Sequence, residues 1–206
     1  VDIIVENNRD LNGETLRSIA PVSLMMAIFL LAYTIWFGFA WGLFGWILFT
    51  VSLFISTILF VKSIQNIKHS KLFEVHETKS GKRIGKAMGI LSGVSYGILW
   101  LSVIILIIID WYALIMPVVT LIIGLHFFPQ AKIMNRKLDY FVAPIPIATA
   151  LISIILVINS DLPWQSAFAI ASIGGAIATI IYGFHILSTY QQLTSHNAAN
   201  KNGKMP

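Results

Sequence analysis

All fourteen Lys and Arg residues of this chain fall on alternate connections between six apolar runs, and the intervening connections carry none. Arg9 and Arg17 precede the first run, and seven basic residues lie between Lys62 and Lys86. Lys132, Arg136 and Lys137 separate the fourth run from the fifth, and Lys201 and Lys204 follow the sixth. The connections around Trp41, Asp110 and Asp161 have no basic residue. Short cytoplasmic loops of membrane proteins keep Lys and Arg, whereas short translocated loops lose them. The pattern therefore predicts an all-α polytopic membrane helical bundle of six transmembrane helices, with both termini in the cytoplasm.

Composition agrees with that constraint. With 57% hydrophobic and 11% charged residues, the 206-residue chain is too apolar for an ordinary soluble domain. A spanning helix needs about 20 apolar residues, so six of them occupy most of the length and predict one domain over residues 1–190. The expected spans are 18–39, 43–62, 84–109, 113–131, 140–158 and 166–190. The first run is too long for a signal-peptide core and is expected to remain as a span. The start of the chain reads as a short surface segment with an interfacial turn, and residues 191–206 as a disordered polar tail. Trp36, Trp41 and Trp46 cluster about the first outer turn, where amphipathic rings sit at headgroup level. The basic connection at 62–86 is expected to anchor topology and attract anionic lipid headgroups, so the lipid bilayer is the expected partner. The one-sided loop distribution accounts for the basic charge, which removes the reason to invoke nucleic acid. The chain contains no Cys, so disulfides and thiolate metal sites are excluded.

Gly81, Gly85, Gly89, Gly93 and Gly97 recur every fourth residue into the third span. Small residues let helix backbones approach in lipid, so the row predicts a packing face. Each step of four advances about 400°, so the row winds round the helix and predicts two neighbours for a central third span. A second row, Ala167, Ala171, Gly175, Thr179 and Gly183, nominates the sixth span as one of them.

Two histidines lie inside spans, and an ionisable group in hydrocarbon is a functional suspect by default. At about 1.5 Å per residue from the outer ends, His126 lies roughly 22 Å and His185 roughly 29 Å inward. Ser92, Ser95, Tyr96 and Tyr182 fall in the same cytoplasmic half, and all six residues are expected to form one polar cluster. Its plain reading is interhelical hydrogen bonding; a proton relay is the alternative, since His titrates near neutrality. Two His without a carboxylate or Cys at that depth do not make a metal site. Gly93-Val94-Ser95-Tyr96-Gly97 fits the G-x-S-x-G pattern of serine hydrolases, but that pattern works at a strained strand-to-helix turn, and Ser95 sits inside a helix. The G-x-S-G of rhomboid-type intramembrane proteases is missing, because Ile90 stands where its first glycine would be.

The stretch Ile123-Gly124-Leu125-His126-Phe127-Phe128-Pro129-Gln130-Ala131 resembles a Gly-Leu-His-Phe-x-Pro signature of small, uncharacterised bacterial integral membrane proteins. The resemblance covers residues 80–160 and includes the entry Gly81-Lys82-Arg83-Ile84-Gly85; Gln130 stands where Leu is commoner. It implies a multi-pass protein of the bacterial cytoplasmic membrane, draws attention to His126 and Pro129, and brings no activity with it. The sequence thus points to a non-enzymatic membrane protein without cofactor, of accessory, sensory or immunity type. A small-solute or proton-linked transporter is the first alternative, and an intramembrane hydrolase the second. Against ion transport stands the expected absence of Asp, Glu, Lys and Arg from the span interiors.

Overall fold

A computed structural model describes residues 13–74 and 78–202, with side chains to Ser195. Its helices are α1 (Val22–Ser70), α2 (Lys79–Ile108), α3 (Ile115–Met134), α4 (Lys137–Val142), α5 (Pro144–Asn159) and α6 (Trp164–Asn202). A single 3-10 turn, Tyr112–Leu114, leads into α3. No strand occurs among the described residues. Among the described residues, five helical segments are long and apolar enough to cross a membrane: Gly13–Ser70, Lys79–Ile108, Tyr112–Met134, Lys137–Asn159 and Trp164–Ser195.

The first of these segments has 58 residues, and as a straight rod would reach about 87 Å, far beyond the hydrocarbon thickness of about 30 Å. It is not a rod. Helical geometry fails at Trp41 and Gly42, where Gly42 adopts φ 55 and ψ −133, a conformation open only to glycine. The two arms fold back on each other. Ser56 Oγ donates to the Ala27 carbonyl at 2.9 Å and Ser63 Oγ to the Ala20 carbonyl at 2.7 Å. Gly38 lies so close to Trp46 that a Cβ would stand 2.6 Å from the indole. Partners that descend on one arm as they ascend on the other define an antiparallel hairpin.

Helix α6 is the centre of the bundle, packed on α1, α3 and α5. Its face is built from small residues: Ala167, Ala169, Ala171 and Ser172 are fully buried. Gly183 meets Leu59, and Gly175 meets Tyr33. Gly174 is closer still, because a Cβ there would stand 2.6 Å from Pro146 Cα and 2.8 Å from the Ile145 carbonyl oxygen. Hydroxyls complete these seams by bonding backbone carbonyls across helices, as with Ser153 to Ala167 (2.8 Å), Thr149 to Ala171 (3.2 Å) and Ser23 to Gly183 (3.2 Å).

The third-span glycines behave differently from expectation. Gly85, Gly89, Gly93 and Gly97 have nothing within 4 Å of a Cβ position, and only Gly81 is approached, by the Glu14 carboxylate. Helix α2 is peripheral and packs on α3, so the central small-faced helix is α6. A period-four row of small residues is common to both helices; what separates them is that α6 carries buried Ala176, Ala178 and Thr179 between its glycines, whereas α2 carries large apolar residues such as Ile90, Val94 and Ile98, which are exposed. Leu99, on the opposite face, is buried.

Two further expectations change. Helix continues through residues 191–202 of the tail, which holds no Pro and no Gly before Gly203; Leu193 packs beside Leu16, Ile186 and Tyr190. Helix α4 starts at Lys137, earlier than the expected fifth span. The interfacial turn expected near the start of the chain lies partly outside the described residues, although residues 13–19 are helical.

The start of the described chain, the connection after α1 and the later turns of α6 meet at one end. Glu14 accepts from the Thr78 hydroxyl (2.7 Å) and amide (3.2 Å), and Thr78 in turn caps α2 by accepting from the Gly81 amide at 2.9 Å. Tyr190 donates to the Asn66 carbonyl at 3.0 Å and meets His69 at 3.0 Å. At the other end Trp36 lies edge-on to Trp164, with ring centroids 6.1 Å apart.

Gly174→Ala is expected to lower the thermal midpoint in detergent by roughly the 1–3 kcal/mol that overpacking costs, because the Pro146 and Ile145 backbone, beside the Thr149 hydroxyl, blocks the new methyl. Gly93→Ala should leave it unchanged or raise it by up to about 1 kcal/mol of helix propensity. Equal losses in both variants would mean that Gly93 is covered.

Candidate functional site

A chain of polar side chains runs through the basic end of the bundle. Its first half is a pair: His126 Nδ1 on α3 and Ser95 Oγ on α2 are 2.9 Å apart. Ser95, Tyr96, Leu99, Ile122, Ile123 and His126 surround a cavity of only about 40 Å³ beside the pair. Such a space suits one or two waters and no larger solute.

The second half begins one helical turn further along α3, at Gln130. Helix α3 ends at Asn135 in the left-handed conformation (φ 49), and the Arg136 amide returns to the Ala131 carbonyl at 3.0 Å. This cap turns the chain so that Arg136 and Asp139 flank the first turn of α4. Arg136 grips Asp139 with two bonds, Nε to Oδ1 at 2.8 Å and Nη2 to Oδ2 at 3.2 Å. Tyr182 of α6 lies over the pair. Its hydroxyl donates to Asp139 and accepts from Arg136 Nη2 at 3.2 Å and Gln130 Nε2 at 3.3 Å. One donor and two acceptor sites are thereby filled, the full capacity of a phenol. The guanidinium also lies 4.9 Å from the Tyr182 ring centre, and Phe127 stacks on that ring at 5.1 Å.

Asp139 is fully buried. An unpaired carboxylate there would be untenable, and only the bidentate arginine and the phenol make it stable. The expectation that no Asp, Glu, Lys or Arg enters the bundle is thus corrected at this one acid, which sits just ahead of the expected fifth span.

Of the six residues expected to cluster, the structure joins His126 to Ser95, sets Tyr96 beside them, and joins Tyr182 to a second group around Asp139. Ser92 is half-buried and its hydroxyl makes no hydrogen bond among the described residues. The His185 ring likewise makes none there; its backbone carbonyl accepts from Thr189 Oγ1 at 2.9 Å. Arg136, Asp139 and Gln130 were not singled out by sequence. An available signal was the i, i+3 pairing of opposite charges immediately after the Asn135 helix end, on the shorter of the two basic connections between spans.

Chemically the arrangement can fasten helices and order protons locally. The Ser95 and His126 pair brings a hydroxyl to an imidazole, but the backbone N–H groups around Ser95 lie within α2, and Asp139 is committed to Arg136 and Tyr182. Among the described residues no carboxylate bonds the His126 ring to orient it. Among the described residues no three His, Asp or Glu side chains gather as a metal ion would require. Comparison with protein-family models, with characterised proteins and with solved structures found no match.

Arg136→Met alone should destabilise the protein by about 3–5 kcal/mol, since it strands a buried carboxylate. Adding Asp139→Leu should recover most of that loss. Thermal unfolding in detergent distinguishes the two, and equal destabilisation of single and double variants would show that the pair is not coupled.

Proposed function

We propose that this chain is a non-enzymatic integral protein of the bacterial cytoplasmic membrane, crossing it six times with both termini inside, and that its interior polar residues fasten helices together. The role that fits is an accessory, sensory or immunity-type component. Support for six crossings comes from the hairpin at Trp41 and Gly42, since each arm of α1 is long enough to span. The gathering of Arg17, Lys62, Arg136 and their neighbours at one end, opposite Trp36, Trp111 and Trp164, supports the orientation. That basic end would also hold anionic lipid headgroups, each Lys or Arg near the surface contributing about 1 kcal/mol. The resemblance of residues 123–131 to bacterial membrane proteins supports the compartment.

The observation that carries the fastening role is saturation. Tyr182, Arg136 and Asp139 satisfy one another, and the space beside His126 is too small for a solute. Proton-linked transport is the second reading, and the buried carboxylate of Asp139, linked through Tyr182 to Gln130, which stands one helical turn from His126, is the specific observation in its favour. Intramembrane hydrolysis, the third, rests on the 2.9 Å contact of Ser95 with His126.

Protein reconstituted in liposomes with an entrapped pH indicator separates these readings. The expected result is no protein-dependent proton flux, with His126→Ala lowering the melting temperature by several degrees, as the loss of one interhelical bond of about 1 kcal/mol implies. Flux that His126→Ala abolishes at unchanged stability would instead establish transport. Labelling by a fluorophosphonate that Ser95→Ala removes would establish hydrolysis.

A further inference from the structure

A cleft of about 500 Å³ opens at the end of the bundle opposite the basic connections. This is the size of a small-molecule site. Its walls include Trp111, Tyr112 and Trp164, with Val157 and Ile158 behind them, and the only ionised side chain lining it is Asp110. The Trp164 ring is braced edge-on by Phe168, with centroids 5.3 Å apart. Aromatic faces are electron-rich, and a carboxylate beside them attracts a cation whose bulk matches the rings, most strongly a substituted ammonium group that sheds its water easily.

Asp110 carries an independent mark. It has φ 59, in the left-handed region, at the position just past the end of α2 where glycine is ordinarily found. The Trp111 amide bonds the Leu106 carbonyl at 2.9 Å across this turn, so the conformation is fixed by the helix end. Asp tolerates this region better than most side chains, but glycine would hold it with less strain. Strain of this kind persists where the side chain serves a purpose. The carboxylate is aimed by Tyr112, whose hydroxyl donates to Asp110 Oδ1 at 2.9 Å and leaves the second oxygen for a ligand. The cleft also sits against the C-terminal ends of α2 and α5, where the negative ends of the helix dipoles favour positive charge.

The geometry points to this cleft as a binding site for an organic ammonium cation, with Asp110 as counter-ion and Trp111, Tyr112 and Trp164 as the aromatic walls. Free quaternary amines and the choline headgroup of a lipid present the same chemistry. The site is independent of the polar chain at the basic end.

Tetramethylammonium titrated into protein in maltoside detergent, followed by tryptophan fluorescence, tests it. The expected result is a saturable change that equal lithium chloride does not produce. The neutral alcohol isosteric with choline, with carbon in place of nitrogen, should produce none either. Asp110→Gly relieves the backbone strain, so it should fold with an equal or higher melting temperature while weakening binding about tenfold or more. Asp110→Asn, which tolerates the left-handed conformation, should weaken binding similarly and guards against an effect of the turn itself. Nanodiscs of phosphatidylcholine and of phosphatidylglycerol separate the sources: competition only in the former marks the lipid headgroup as occupant, and equal binding in both marks a free amine. No saturable response in the unsubstituted protein, an equal response to the neutral isostere, or unaltered affinity in both Asp110 variants would overturn the assignment.

Discussion

Lipid offers no partner to a backbone N–H or carbonyl, and the rest of the structure follows from that constraint. Helix satisfies the backbone within each segment, but it then removes the usual reason for helices to associate, because lipid tails are as apolar as Leu. What remains is close approach and a few directed hydrogen bonds. The bundle uses both along α6. Gly174, Gly175 and Gly183 admit neighbouring side chains or backbone, and Ser153, Thr149 and Ser23 bond main-chain carbonyls across the seams. The same device closes the α1 hairpin through Ser56 and Ser63.

Charge is admitted under the same rule. Asp139 enters the bundle only because Arg136 enters with it, and because Tyr182 reaches across from the central helix to close the remaining valences. This ties the connection between α3 and α5 to α6, the helix on which α1, α3 and α5 all pack. His126 and Ser95 then tie the peripheral α2 to α3. The polar chain is thus arranged so that each link joins a different pair of elements, as a fastening network requires. At the opposite end Asp110 remains at the surface, strained and partly unpaired.

Much of the architecture was legible because it is written in composition and charge, which lipid reads directly. The apolar runs and the turns between them follow from local sequence. The Trp41 to Gly42 reversal was expected from a gap between runs, and glycine is what makes it so short. The pairing of helices was less legible. Period four of Gly85 through Gly97 does not say whether a helix covers that face, and the choice between α2 and α6 as central helix depends on which residues fill the gaps between the glycines. In the polar cluster, Ser95 with His126 follows from equal depth on adjacent spans. Asp139 escaped because span boundaries are drawn at charges, and a paired acid one residue outside a run looks like a loop residue until its arginine is seen. His185 shows the reverse error: depth alone does not supply a partner.

The account stands on positive charge being sorted to a single side of the membrane. The chain has no native cysteine, so single cysteines can report position directly. Ser160→Cys, Ser80→Cys and Ser195→Cys, expressed in cells and treated with a membrane-impermeant maleimide, give the most direct measurement. The account expects Ser160→Cys to react in intact cells, and Ser80→Cys and Ser195→Cys to react only after permeabilisation. Reaction of Ser80→Cys in intact cells with protection of Ser160→Cys would contradict it, and labelling of Ser195→Cys from outside would contradict an even number of crossings.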